Sequence, residues 1–258
     1  MNIEQYLYAL IPMAFTGVVF WLISLVKKDV SVVDSLWSLF FIIACIFFFN
    51  ELDSLSLRAQ ILTIMVIVWG LRLAAYITIR HWGHEEDHRY QTIRENNNPG
   101  FEYKSLYLIF GFQTVIAWII AMPLFYGMNT NAAFGWLDFL GIVLWFIGMF
   151  FEVVGDYQLW KFKGDASNKG KILTTGLWQF TRHPNYFGEF LIWWGYFCIA
   201  ISSGAYWIVI SPLLMSFLLL KFSGVVHLEN TMKVRQGYED YMNNTNAFFP
   251  GFSSRSSK

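Results

Sequence analysis

The chain has 258 residues, of which 56% are hydrophobic, 20% aromatic and only 14% charged. An average soluble domain carries about 25% charged residues, so this chain has too few charges to cover a water-facing surface, and its hydropathy places it in a lipid bilayer. Its 18 basic and 18 acidic residues cancel, which removes the electrostatic basis for a nucleic-acid partner.

A spanning helix takes about 20 mostly apolar residues. In chain order, seven segments qualify, at about 5–26, 33–49, 58–80, 105–127, 136–160, 185–202 and 204–222. The first carries Glu4 and no basic stretch before it, as expected of a retained helix and not of a cleaved signal peptide. Cys45 and Cys198 lie in apolar runs without a CxxC or metal-like neighbour, so they read as core or lipid-facing residues.

The connections alternate in charge. The first holds Lys27 and Lys28, the third Arg89, Arg94 and Lys104, and the fifth Lys161, Lys163, Lys169, Lys171 and Arg182. The second carries Glu51 and Asp53, the fourth no charge, and the sixth is a Ser-Ser-Gly turn. The basic loops mark the cytosolic side, which puts the N-terminus outside and the C-terminus in the cytosol. After the last span, a cytosolic helix is expected over about 226–242, with Phe248-Phe249-Pro250 packing it back on the bundle. The expected fold class is all-α, a polytopic membrane protein forming one membrane-embedded domain over residues 1–258.

Ionisable side chains inside membrane helices are costly and mark function by default. By depth, Asp34, Arg72 and Tyr76, Glu152 and Asp156, and Glu189 all fall in the cytosolic halves of their helices. A polar cavity open to the cytosol is the economical explanation. Glu152 with Asp156, and Asn185 with Glu189, are i, i+4 pairs on shared faces, and Trp69, Arg72 and Tyr76 form one stripe. The bland alternative is a set of buried structural pairs.

The strongest local signal runs from Gly176 to Glu189 through Arg182-His183-Pro184-Asn185-Tyr186. Pro184 suits the first turn of a helix, where its missing N–H costs nothing. First-turn amides, Arg182, His183 and the loop lysines then make a seat for an anionic cofactor. By contrast, His81, His84 and His88 near Glu85, Glu86 and Asp87 match no metal-ligand spacing and read as a solvated charged loop, so no metal site is expected. There is no GxGxxG or Walker loop.

The Gly-Leu-Trp…Arg-His-Pro-Asn-Tyr-Phe-Gly-Glu stretch resembles the steroid 5α-reductase C-terminal-domain superfamily, in its bacterial, DUF1295-like branch. The likeness continues through Val33-Asp34-Ser35-Leu36-Trp37, Trp69-Gly70-Leu71-Arg72, Asp87-His88-Arg89-Tyr90, Asp156-Tyr157, Glu229 and Arg235-Gln236-Gly237-Tyr238. The Arg-His-Pro-x-Tyr core is also similar to sterol reductases and isoprenylcysteine carboxyl methyltransferases.

The resemblance implies a seven-helix bundle that holds NADPH in a cytosolic cavity and reduces a carbon–carbon double bond in a steroid-like, isoprenoid or other lipid enone. It implies Asp34 and Tyr76 as the groups that handle the substrate carbonyl, with Trp69 at the position where an alignment on Arg72 puts the family's tyrosine. Implied cofactor-binding positions are Arg72, Glu152, Asp156, Lys163, Asn168, Lys171, Arg182, His183, Asn185, Tyr186, Glu189, Glu229, Arg235 and Tyr238. Glu152 departs from the asparagine of the steroid enzymes. Hydride chemistry would belong to the cofactor, and Tyr76 supported by Asp34 would serve the developing enolate.

The rival enzyme is an S-adenosylmethionine-dependent membrane methyltransferase, whose paired-glutamate tail is replaced here by Glu229-Asn230. A third reading is a lipid-binding membrane protein without turnover. The expected partners are a hydrophobic substrate and membrane lipids. The expected location is a bacterial inner membrane, with the site facing the cytosol.

Overall fold

The computed structural model describes residues 3–222 and 225–252. Among the described residues every regular element is helical and none is a strand. The long apolar runs explain this, because in lipid a helix is the simplest way to satisfy each backbone polar group within its own segment.

Five helices are long and apolar enough to cross a membrane: α1 Ile3–Lys27, α2 Val32–Asn50, α3 Leu57–His81, α5 Phe101–Met128 and α6 Trp136–Gly164. A short helix, α4 His88–Asn97, precedes α5. Pro184–Ala200 forms α7, of 17 residues, and Tyr206–Lys221 forms α8, a shorter apolar helix. The tail holds α9 Val225–Met232 and α10 Tyr238–Asn244.

Two sequence expectations need correction. The connection between the third and fourth expected spans is not a plain solvated loop, since it contains α4. Asp87 caps that helix by accepting a hydrogen bond from the Arg89 amide, and Tyr90 on its first turn is buried. The tail helix expected over about 226–242 is two helices. Gly237 takes a left-handed conformation at φ +80° just before α10, a geometry that interrupts a helix and favours glycine.

The described chain divides into two compact units, residues 1–134 with 200–208, and residues 135–199 with 209–258. In the first unit, Gly70 on α3 lets α2 approach closely, and the Ser38 hydroxyl donates to the Gly70 carbonyl in a buried bond of 2.8 Å. Tyr6 and Trp118 tie α1 to α5 reciprocally. The Tyr6 hydroxyl donates to the Trp118 carbonyl, and the Trp118 indole donates to the Tyr6 carbonyl.

In the second unit, α6 and α7 cross on glycines. Gly141, Gly148 and Gly155 recur every seventh residue along α6, and Gly188 and Gly195 do so along α7. Seven residues are about two helical turns, so each set lines one face. The facing pairs are Gly148 with Gly188 and Gly141 with Gly195, while Gly155 meets Pro184 and Asn185.

Candidate functional site

The first unit gathers its polar groups around Asp34, one turn into α2. The Tyr90 hydroxyl donates to Asp34 Oδ1 at 2.5 Å, and Arg89 Nη2 donates to Asp34 Oδ2 at 2.7 Å. Arg89 Nε also reaches Asp87 Oδ1 at 3.0 Å, so one guanidinium bridges two carboxylates. Gln113 on α5 donates to the Tyr90 oxygen at 3.3 Å. The Asp87 amide, in turn, is held by the Ser31 hydroxyl, which fixes the start of α4 against the start of α2.

These contacts set the protonation states. Burial, and then the Asp34 charge, push the Tyr90 phenol well above its ordinary range, so it stays protonated. Burial opposes the Arg89 charge, yet Asp34 and Asp87 outweigh it and hold the guanidinium firmly protonated. Burial likewise works against the Asp87 carboxylate, but the hydrogen bonds and charge of Arg89 hold it below the usual range.

Ligand atoms of Asp34, His81 and Asp87 also lie within 4.8 Å of one another, a trio that the sequence spacing did not suggest. Arg89 already bridges the two carboxylates of that trio. The cluster is therefore organised around a tethered organic cation.

Tyr76 and Trp69 sit elsewhere on α3. The Tyr76 ring lies 5.4 Å from the Arg72 guanidinium and 5.6 Å from that of Arg80. Trp69 is buried against Phe41 at 5.7 Å. The phenol that reaches Asp34 is thus Tyr90, not Tyr76, which corrects the pairing expected from sequence. The reason lies in α4, whose cap brings Tyr90 back to α2 across 56 positions of chain. The sequence signal was available, since an Asp followed by a helix with Arg and Tyr on its first turn is a capped, partly buried start.

In the second unit the Arg-His-Pro motif serves the tail. Arg182 is buried; its Nε and Nη2 reach Glu229 Oε1 at 2.8 and 2.7 Å, and its Nη1 donates to the carbonyls of Met242 and Thr245. The Arg182 amide donates to the Asn246 carbonyl, the Thr181 hydroxyl to the Phe248 carbonyl, and the Gly251 amide to the Phe180 carbonyl. Phe248 and Phe249 then pack on Phe187 and Phe190 of α7. His183 lies 3.4 Å from Glu229 and stacks on Tyr186 at 5.6 Å. Burial lowers the His183 imidazole to about 4, with Glu229 opposing that shift and Arg182 reinforcing it. Burial, and then the charge of Glu229, raise the Tyr238 phenol.

The remaining expected positions divide by depth. Asp156, Glu152 and Glu189 are buried. Asn185 donates to Asp156 Oδ1 at 3.1 Å, and Trp193 donates to Glu189 at 3.0 Å. Lys163, Lys171 and Arg235 are exposed, and Asn168 donates to the Phe162 carbonyl. Near them an open cavity of about 610 Å³ is lined by Tyr157, Lys161, Asp165, Asn168 and Thr175. The Lys161 ammonium, the Asn168 amide and the Thr175 hydroxyl suit a phosphate, and the Asp165 carboxylate opposes one. The donors of Arg182, by contrast, are taken by the chain's own oxygens.

Comparison with known proteins places this architecture in a family. An uncharacterized protein of Schizosaccharomyces pombe is 26% identical over 284 aligned positions, which cover 96% of this chain and 80% of the relative. No solved structure matches the chain. The family described as "Protein of unknown function (DUF1295)" matches residues 20–245, and the chain belongs to that family.

Proposed function

We propose that the protein is an NADPH-dependent reductase of a carbon–carbon double bond in a hydrophobic enone, related to the steroid 5α-reductase superfamily. The observation that carries the reading is the Tyr90 hydroxyl held 2.5 Å from Asp34. A phenol held in place by a carboxylate and a guanidinium can give its proton to an enolate oxygen, while burial and the Asp34 charge make it a weaker acid than a free phenol. Once the proton has moved, Gln113 and the Arg89 guanidinium, 5.3 Å from the ring centroid, stabilise the phenolate. NADPH, when bound, supplies the hydride.

The same reading makes α7 and α8 the sixth and seventh spans, with the N-terminus outside and the basic connections in the cytosol. The membrane would be a bacterial inner membrane or its equivalent. In a variant without Cys45 and Cys198, Asn131→Cys should react with an impermeant maleimide only from outside, and Lys169→Cys only from inside. The reverse pattern would invert the topology.

The activity is tested by titrating detergent-purified protein with NADPH, NADP⁺ and S-adenosylmethionine. Saturable NADPH binding is expected. Binding of S-adenosylmethionine alone would transfer the protein to the methyltransferase reading, and binding of neither would end the enzymatic one.

A further inference from the structure

At one end of the first unit, α1 stops at Lys27, α2 begins at Val32 and α3 stops at His81. Between these ends lies an open cavity of about 550 Å³, with Lys27, Lys28, Ser35, Thr78, Trp82 and Glu85 on its wall. Most of the charge around it already has an internal partner. Asp29 accepts the Ser31 amide, and Glu86 accepts the Val30 amide and both arms of Arg94. The Lys27 ammonium sits 5.9 Å from the Trp82 ring centroid.

Lys27 has no ion pair among the described residues, and beside it two opposite charges also remain. Among the described residues, the exposed side chains of Lys28 and Glu85 make no hydrogen bond or ion pair. Lys28 is held in place by its backbone, a left-handed residue (φ 56°) whose amide closes the end of α1 on the Ser24 carbonyl. Thr78 donates to the Ser35 hydroxyl, which leaves the Ser35 proton available to an acceptor in the cavity. Trp82 is 77% exposed where the apolar helices end, the level at which aromatic side chains meet lipid head groups.

We propose that this cavity is a binding site for the head group of a phospholipid that carries a primary amine. Lys28 and the Ser35 hydroxyl take the phosphate, and Glu85 takes the ammonium. A head group with phosphate alone leaves Glu85 facing an anion. A quaternary ammonium has no N–H to give to Glu85. The assignment is independent of the reductase reading, because it rests on the cavity and the charges on its wall.

The test is native mass spectrometry of the detergent-purified full chain with added phosphatidylethanolamine, phosphatidylglycerol or phosphatidylcholine. Phosphatidylethanolamine is expected to bind about tenfold more tightly than the other two, the effect of one charge-assisted hydrogen bond. Lys28→Gln and Glu85→Gln, both at exposed positions, should each abolish that preference, whereas Lys169→Gln in the other unit should retain it. Equal binding of the three lipids, or a preference unchanged in both cavity variants, overturns the proposal. So does soluble phosphoethanolamine binding as tightly as the lipid, which would assign the cavity to a water-soluble phosphoamine.

Discussion

Gly148 and Gly188 bring the backbones of α6 and α7 into direct contact. A methyl group on Gly188 would stand 2.5 Å from the Gly148 carbonyl oxygen, and one on Gly148 would stand 2.6 Å from the Gly188 carbonyl. In lipid there is little hydrophobic drive between helices, so close packing of small residues carries much of the association.

Gly148→Ala and Gly188→Ala should therefore each destabilise the second unit by roughly 1–3 kcal/mol, the usual cost of a methyl group without room. Gly164→Ala, where nothing lies within 4 Å of the new methyl, should be neutral or slightly stabilising. Thermal unfolding in detergent gives the comparison, and indistinguishable midpoints for the three variants would contradict the packing account.

Arg182 and Glu229 connect the loop before α7 to the tail. Removing Glu229 leaves a buried guanidinium with only neutral partners, so Glu229→Ala should weaken tail docking by about 2–4 kcal/mol. Hydrogen exchange should then rise in residues 238–249 while α2 and α3 stay protected. Arg182→Lys should behave similarly, because an ammonium cannot reproduce the forked contacts. Unchanged exchange in the tail would refute this.

His183 gives the same contact a pH dependence. Its imidazole titrates near 6.5 when unfolded and at about 4 when folded, so between those values the unfolded chain binds more protons. Stability then rises with pH. The contribution is complete above about pH 6.5 and is lost progressively as the pH falls toward 4. Comparing unfolding midpoints of the native chain and His183→Gln across that window isolates the effect. The variant should show a shallower decline.

Tyr90→Phe removes one hydroxyl from the Asp34 cluster and keeps the ring. Enone reduction should fall by about 10²–10⁴-fold, the range of general acid catalysis, with NADPH affinity within about twofold of the native chain. Tyr76→Phe should have a much smaller effect, since that phenol is not a partner of Asp34. Equal losses in the two variants would assign the proton to another group.

Composition and hydropathy alone determined the membrane class, the all-helical chain and the approximate limits of its long helices, because a spanning helix is a local object whose requirement can be counted along the chain. Pro184 at the start of α7 was legible for the same reason. Long-range partnership was not. Asp34 pairs with a phenol 56 positions away because the capped start of α4 returns there, and Arg182 finds carbonyls 60 and 63 positions on because the tail doubles back after Gly237. The glycine ladder stands between these cases, since its seven-residue period is printed in the sequence, yet only the crossing of α6 and α7 shows which glycines meet. Tertiary structure decides such pairings because hydrogen bonds reach only about 3 Å, and no spacing rule spans a turn whose direction depends on packing.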